Sequence, residues 1–248
     1  MEQYCTGTLA QVQQATLSDL SSIHEVLIRR RQSVCVLPLF VLVEFAYDLD
    51  LPDEVYNKGI MGDIRALGID LTMLHNDLLS YHKEELEGVP HNIIAAYRGN
   101  GKNAQEAVDL VRNEIEKRSL LLDLAIEQVA SWETPWTREC MRYVQGVRDV
   151  IKANLYWSFH SDRFLSEDQK IRLLTTDMVE VLAFPSDLCG TNSTSQWSPN
   201  LSHPPKAHPT TLHPVTSPDG DTVVPRHMEK TIVRMSKSET IGGVCYST

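Results

Sequence analysis

KGIMGDIRALGIDLTMLHNDLLSYHKEEL, residues 58–86, contains no proline and carries two series of residues at helical spacing. On a wheel of about 100° per residue, Ile64, Leu67, Leu71, Leu74, Leu78 and Tyr81 gather on one side, three and four positions apart. That stripe packs a helix against its neighbours. Roughly opposite lie Ile69, Met73, Asn76, Ser80 and Glu84. A water-facing side has no use for Ile69 and Met73, and a dry side does not tolerate Glu84 unpaired. A cavity reconciles the two demands, apolar in the upstream turns of this face and polar in the last two. Gly88 and Pro90 close the helix.

The same period governs the chain on both sides of this stretch, up to about residue 184, and no segment there shows the alternation of a strand. The reading is an all-α fold. Helices are expected at about 17–31, 39–48, 103–131, 135–164 and 167–184, the last opened by Ser166 and Gln169 in capping-box register. Pro38 interrupts the first pair near 33–38, because proline removes a donor and clashes with the preceding turn. From residue 185 the text turns to Pro, Ser, Thr and His, with eight of the twelve prolines and little to bury. The expectation is therefore a helical domain over 1–184 and a disordered tail over 185–248.

At 248 residues the chain is long enough for one domain with a real core. Its 33 acidic against 23 basic residues give a net charge of −10, which argues against a nucleic-acid partner, since backbone binding needs a basic surface. The longest apolar run, 34–43 with Pro38 inside it, is too short to span a bilayer. The first twenty residues hold no basic stretch followed by an apolar core, which reads as a cytoplasmic protein without a signal peptide. Cys5, Cys35, Cys140, Cys189 and Cys245 are scattered and form no CxxC pair, as expected of reduced thiols.

Asn76, Ser80 and Glu84 stand one turn apart and project an amide oxygen, a hydroxyl and a carboxylate along one line. Such hard donors suit Mg²⁺, which binds few protein groups and completes its octahedron with waters and substrate phosphate oxygens. Lys83, beside Glu84, can pair with the same phosphate. Taken alone, three residues at this spacing favour a solvated helix face. Their context carries them further. NDLLSYHKE (76–84) resembles the (N/D)DxxSxxxE pattern of class I terpene synthases. FVLVEFAYDLDLPDEV (40–55), GVPHNIIA (88–95), KNAQEAVDLV (102–111) and ANLYWSFHSDRF (153–164) resemble successive segments of the fungal members. The chain is identified as similar to the C-terminal half of a fungal sesquiterpene cyclase, in register over about 28–164.

The resemblance implies that Asn76, Ser80 and Glu84 hold one of three magnesium ions and that Lys83 contacts diphosphate. Arg30 matches the family's diphosphate-sensing arginine, with Arg29 and Arg31 as neighbours one register away. The break at 33–38 corresponds to the family's effector turn, with Val34 or Cys35 where a glycine is usual. Arg163 matches the arginine of a terminal Arg-Tyr pair, whose tyrosine is replaced by Phe164, a side chain unable to donate a hydrogen bond. The implied activity is that of a lyase: magnesium-dependent ionisation and cyclisation of farnesyl diphosphate with diphosphate release.

The family's Asp-rich motif, DDxxD or a relative, lies before the sensor arginine, and this sequence has none there: Glu2, Asp19 and Glu25 are the only acids in the first 28 residues. Ligands for one magnesium ion are present. Two readings follow, a terpene cyclase by descent and an inactive helical fragment that at most binds magnesium-diphosphate or a protein partner. The fragment is expected to expose apolar surface. Neither reading names a product.

Overall fold

The computed structural model describes residues 22–56, 59–89, 91–183 and 230–235. Among them are eight helices: α1 (Ile23–Ser33), α2 (Leu37–Tyr47), α3 (Asp53–Tyr56), α4 (Gly59–Leu86), α5 (Ile93–Gly99), α6 (Ala104–Ala130), α7 (Thr137–His160) and α8 (Glu167–Thr176). Local chemistry sets their ends. Ser22 with Glu25, Asn103 with Glu106, and Ser166 with Gln169 form capping boxes at the starts of α1, α6 and α8. Pro38 sits in the first turn of α2, where its missing N–H costs nothing. Left-handed Asp48 and Asp177 end α2 and α8.

The 28 residues of α4 span about 42 Å at 1.5 Å per residue and form the axis of the molecule. α6 and α7 pack along it, and α2 crosses α7. Two glycines permit the crossings: a Cβ on Gly68 of α4 would come 2.7 Å from Val147 and 2.9 Å from Phe40, and one on Gly146 of α7 would come 2.2 Å from Val43. Phe40, Ile64, Tyr143 and Val147 lie in the cluster that these helices enclose, each fully buried. A second cluster, with Met73, Leu74, Ile93, Ile94, Val108 and Val111, fills the other end of α4. Both faces of α4 are thus buried, as its pattern requires. Met73, expected toward a cavity, is instead enclosed in this second cluster, so the upstream part of that face is packed core.

The helix expected over 167–184 stops at Thr176. Residues Met178–Leu182 form strand β1, which pairs antiparallel with β2 (Lys230–Arg234), Met178 opposite Arg234 and Leu182 opposite Lys230. Val179, Val181 and Val233 turn inward and close the second cluster, while Glu180 faces out to Arg172 and Lys230. Gln105 of α6 completes the edge: its side chain accepts from Arg234 N at 2.8 Å and donates to Arg234 O at 3.2 Å. The pairing joins segments far apart in sequence, which is why local periodicity did not announce it. The tail expected over 185–248 lies outside the described residues except for 230–235, which are built into the body. The part of the first expected helix at 17–21 is likewise outside them.

The outer side of α2 exposes Leu39, Val41, Leu42 and, at 84%, Phe45. Among the described residues no helix is long and apolar enough to cross a membrane.

Candidate metal and diphosphate site

The last three turns of α4 carry Asn76, Asp77, Ser80, Glu84 and Glu85, and two other elements close on them. From one side comes the end of α1. Arg30, 8% exposed, lays its guanidinium on Asp77: Nε donates to Oδ2 at 3.1 Å, and Nη2 donates to Oδ1. The neighbouring arginines point elsewhere. Arg29 pairs with Glu25 within α1, and Arg31 joins Arg118 of α6 on buried Asp70, with contacts of 2.7 and 2.8 Å. Of the RRR run, Arg30 alone reaches the motif.

From the other side comes the start of α5. Asn92 is fully buried, caps α5 by accepting from Ile94 N at 2.8 Å, and directs its amide nitrogen at α4. That nitrogen lies 3.0 Å from Glu84 Oε2, 2.7 Å from the Asp77 carbonyl and 3.5 Å from Ser80 Oγ. Ile93 N donates to Asp77 Oδ2 at 2.8 Å. The Asp77 carboxylate, 0% exposed, thus meets a guanidinium and a main-chain amide.

These surroundings set the charges. Burial pushes the Glu84 carboxyl above its ordinary range, and the nearby Asp77 carboxylate adds to the rise; the Asn92 hydrogen bond and Arg30 oppose it. Burial works against the charge on Arg30, but Asp77 more than compensates, and the guanidinium is held protonated more firmly than usual. A half-buried carboxylate short of positive charge, with Asn76 and Ser80 oxygens on the preceding turns, is chemically suited to a hard divalent cation. Among the described residues no three His, Cys, Asp or Glu side chains converge on a metal position.

On the far face of the same turn, Glu85 is 3% exposed and accepts from Arg98, from Tyr81 Oη and, at 2.8 Å, from Leu182 N at the end of β1. Arg98 Nη1 also donates to Tyr81 Oη at 2.7 Å. Burial raises the Glu85 carboxyl and suppresses ionisation of Tyr81.

Other expected site residues stand apart from this cluster. Lys83 pairs with Glu87 at 3.6 Å on a partly exposed face. Arg163 is exposed, its guanidinium 5.5 Å from the centre of the Phe164 ring, and Asp162 pairs with Lys170. Phe164 is buried with Leu79 and Leu165 in a small apolar cluster, so it anchors the α7–α8 connection against α4. At the helix break, Val34 has ordinary helical geometry and Cys35 takes φ +57°; Cys35 therefore occupies the left-handed position that favours glycine.

The sequence put forward Asn76, Ser80, Glu84 and Arg30 and did not announce the contacts of Asp77 and Asn92. Asp77 lies inside the motif itself, and its acidic side chain 47 residues from Arg30 was the available signal. Asn92 was visible only as a residue in helix-cap position.

Comparison with known proteins bears on the same segment. Residues 1–119 match the domain described as terpene synthase family 2, C-terminal metal binding. The chain is similar to silphinene synthase of Penicillium patulum, 34% identical over 182 residues, which cover 73% of this chain and 49% of that protein. It is also similar to a sesquiterpene synthase of Cyclocybe aegerita, 34% identical over 154 residues, covering 62% of this chain and 42% of the relative. The chain therefore spans about half the length of the curated relatives it matches. Among solved structures, a threonine-to-asparagine variant of cucumene synthase aligns with a TM-score of 0.52 over 58% of this chain and 49% of its own, at 18% identity, a likeness of fold.

Proposed function

The chain belongs to the terpene synthase family, and from that premise we propose that it supplies the C-terminal metal and diphosphate half of a prenyl diphosphate cyclisation site. Asn76, Ser80 and Glu84 hold one magnesium ion, and Arg30 grips the diphosphate. The observation that carries this reading is the arrival of Arg30 at the motif helix: a cation for phosphate and oxygen donors for a metal meet at one end of α4. Magnesium, when bound, supplies positive charge against the diphosphate that leaves an allylic carbon.

The chain's own residues do the rest. Asp77 occupies Nε and Nη2 of Arg30, and Nη1 lies 3.5 Å from Ser33 Oγ, so the guanidinium retains N–H groups for phosphate oxygens. Glu84 gains from a nearby cation because burial disfavours its charge. Lys83 adds a second positive charge; its pair with Glu87 is exposed and of the kind that contributes little, so it exchanges readily. Arg163, exposed on the α7–α8 connection, is the further cation proposed for the diphosphate, and Phe164, where the family has tyrosine, holds that connection by packing. Farnesyl diphosphate is the proposed substrate, supported by similarity to a sesquiterpene synthase.

A second reading is favoured by one specific observation: the domain that this chain matches is described by its metal binding. In that reading the chain binds magnesium-diphosphate without turnover. Titration of the chain with inorganic diphosphate and Mg²⁺ tests what both share. Wild type is expected to release heat on binding, and Glu84→Gln to lose at least about tenfold in affinity. Equal affinity in the two would defeat the site assignment. Incubation with farnesyl diphosphate and Mg²⁺ separates them, and no cyclised product above the Glu84→Gln control is expected from this chain by itself.

A further inference from the structure

We infer that Asn92 is a positioning residue for the metal ligands Ser80 and Glu84, beyond its part as the cap of α5. The inference rests on the magnesium-diphosphate reading of that site. The Asn92 amide is oriented by its cap: Oδ1 must be the atom that accepts from Ile94 N, 2.8 Å away, which turns the NH₂ group toward α4. Its two hydrogens meet Glu84 Oε2 at 3.0 Å and the Asp77 carbonyl at 2.7 Å, with Ser80 Oγ at 3.5 Å alongside. One side chain, 0% exposed, therefore touches two of the three proposed ligands and the main-chain carbonyl of Asp77, the residue after the third.

A cap alone does not need these donors. Serine, threonine and aspartate cap helices as well as asparagine does, and none of them presents an NH₂ group. What the amide adds is a fixed rotamer for Glu84: Oε2 is held by α5, and the carboxylate plane is set before a cation arrives. The adjacent Ile93 N–H on Asp77 Oδ2 fixes the carboxylate that in turn holds Arg30. The Asn92-Ile93 pair thus ties the metal side and the diphosphate side of the site to the same turn of backbone.

Calorimetric titration of the full 248-residue chain with Mg²⁺ and inorganic diphosphate tests the role. Asn92→Ser and Asn92→Asp both retain a capping oxygen and lose the amide donors; Asn92→Asp also keeps the size of the side chain if Asn92→Ser does not fold. Asn103→Ala, which removes the cap of α6 away from the site, controls for lost stability. The expected result is a loss of about ten- to hundredfold in affinity for the Asn92 variants and less than about twofold for Asn103→Ala. Binding within about twofold of wild type in both Asn92 variants overturns the role and leaves the site assignment standing, and so does an equal loss in Asn103→Ala. Absence of binding by wild type overturns the site assignment and this role with it.

Discussion

The two halves of α4 are buried by opposite means. From Met61 to Leu74 the helix is enclosed, except where Arg31 and Arg118 meet Asp70, by apolar side chains and by close backbone approach at Gly68, where Phe40 and Val147 press against it. From Asp77 to Glu85 it is enclosed by charged and amide groups arriving from α1, α5 and β1. The first half is held by area and shape, which tolerate small changes. The second is held by partnerships, and removal of one member leaves another buried and unpaired. A helix built this way keeps a stable shaft and places its chemistry at the end where polar groups are matched.

The largest expected effect tests that contrast on the polar half. Glu85→Gln changes almost no volume, yet it strips the charge from a carboxylate that meets buried Arg98, and unfolding in urea should show a loss of about 3–5 kcal/mol. A loss below about 1 kcal/mol would place Arg98 in water and erase the distinction. On the apolar half, Ile64→Val removes a methylene from a fully buried side chain, and a loss of about 1 kcal/mol is expected by the same measurement. A cost as great as that of Glu85→Gln would show the shaft to be equally brittle.

The smallest effect lies within the apolar half, at its buried carboxylate Asp70. Burial pushes this carboxyl up, but hydrogen bonds from Arg31 and Arg118 outweigh it and hold it below its ordinary range. Its folded value is thus depressed: the stabilisation is present above the unfolded value of about 3.9 and is lost as pH falls through the folded value. Arg31 is partly exposed, so Arg31→Met should cost less than about 1 kcal/mol at neutral pH and should flatten the acid limb of stability below about pH 4. An unchanged acid limb would assign the depression to Arg118.

Much of this was legible in the text. The helical period placed α4, α6 and α7 to within a few residues, and Ser166 with Gln169 marked the start of α8. The spacing of Asn76, Ser80 and Glu84 defined one line of donors, and the family resemblance put Arg30 forward with Arg29 and Arg31 one register away. The strands were not legible, because β1 is completed by a partner beyond Leu182 that only folding brings opposite it. Nor were Asn92 and Phe164, whose parts depend on which neighbours they meet.

Sequence by itself determined the all-α frame, the motif helix and the residue types able to hold a cation and a phosphate, because these follow from periodicity and donor chemistry along a single element. Only the tertiary structure decided which arginine of 29–31 reaches the motif, that Cys35 takes the left-handed turn, that Asn92 orders Glu84, and that Phe164 belongs to the core. Each of those outcomes depends on segments distant in sequence meeting within hydrogen-bond or van der Waals range. The chain reaches that proximity only when α1, α5 and β1 close on α4.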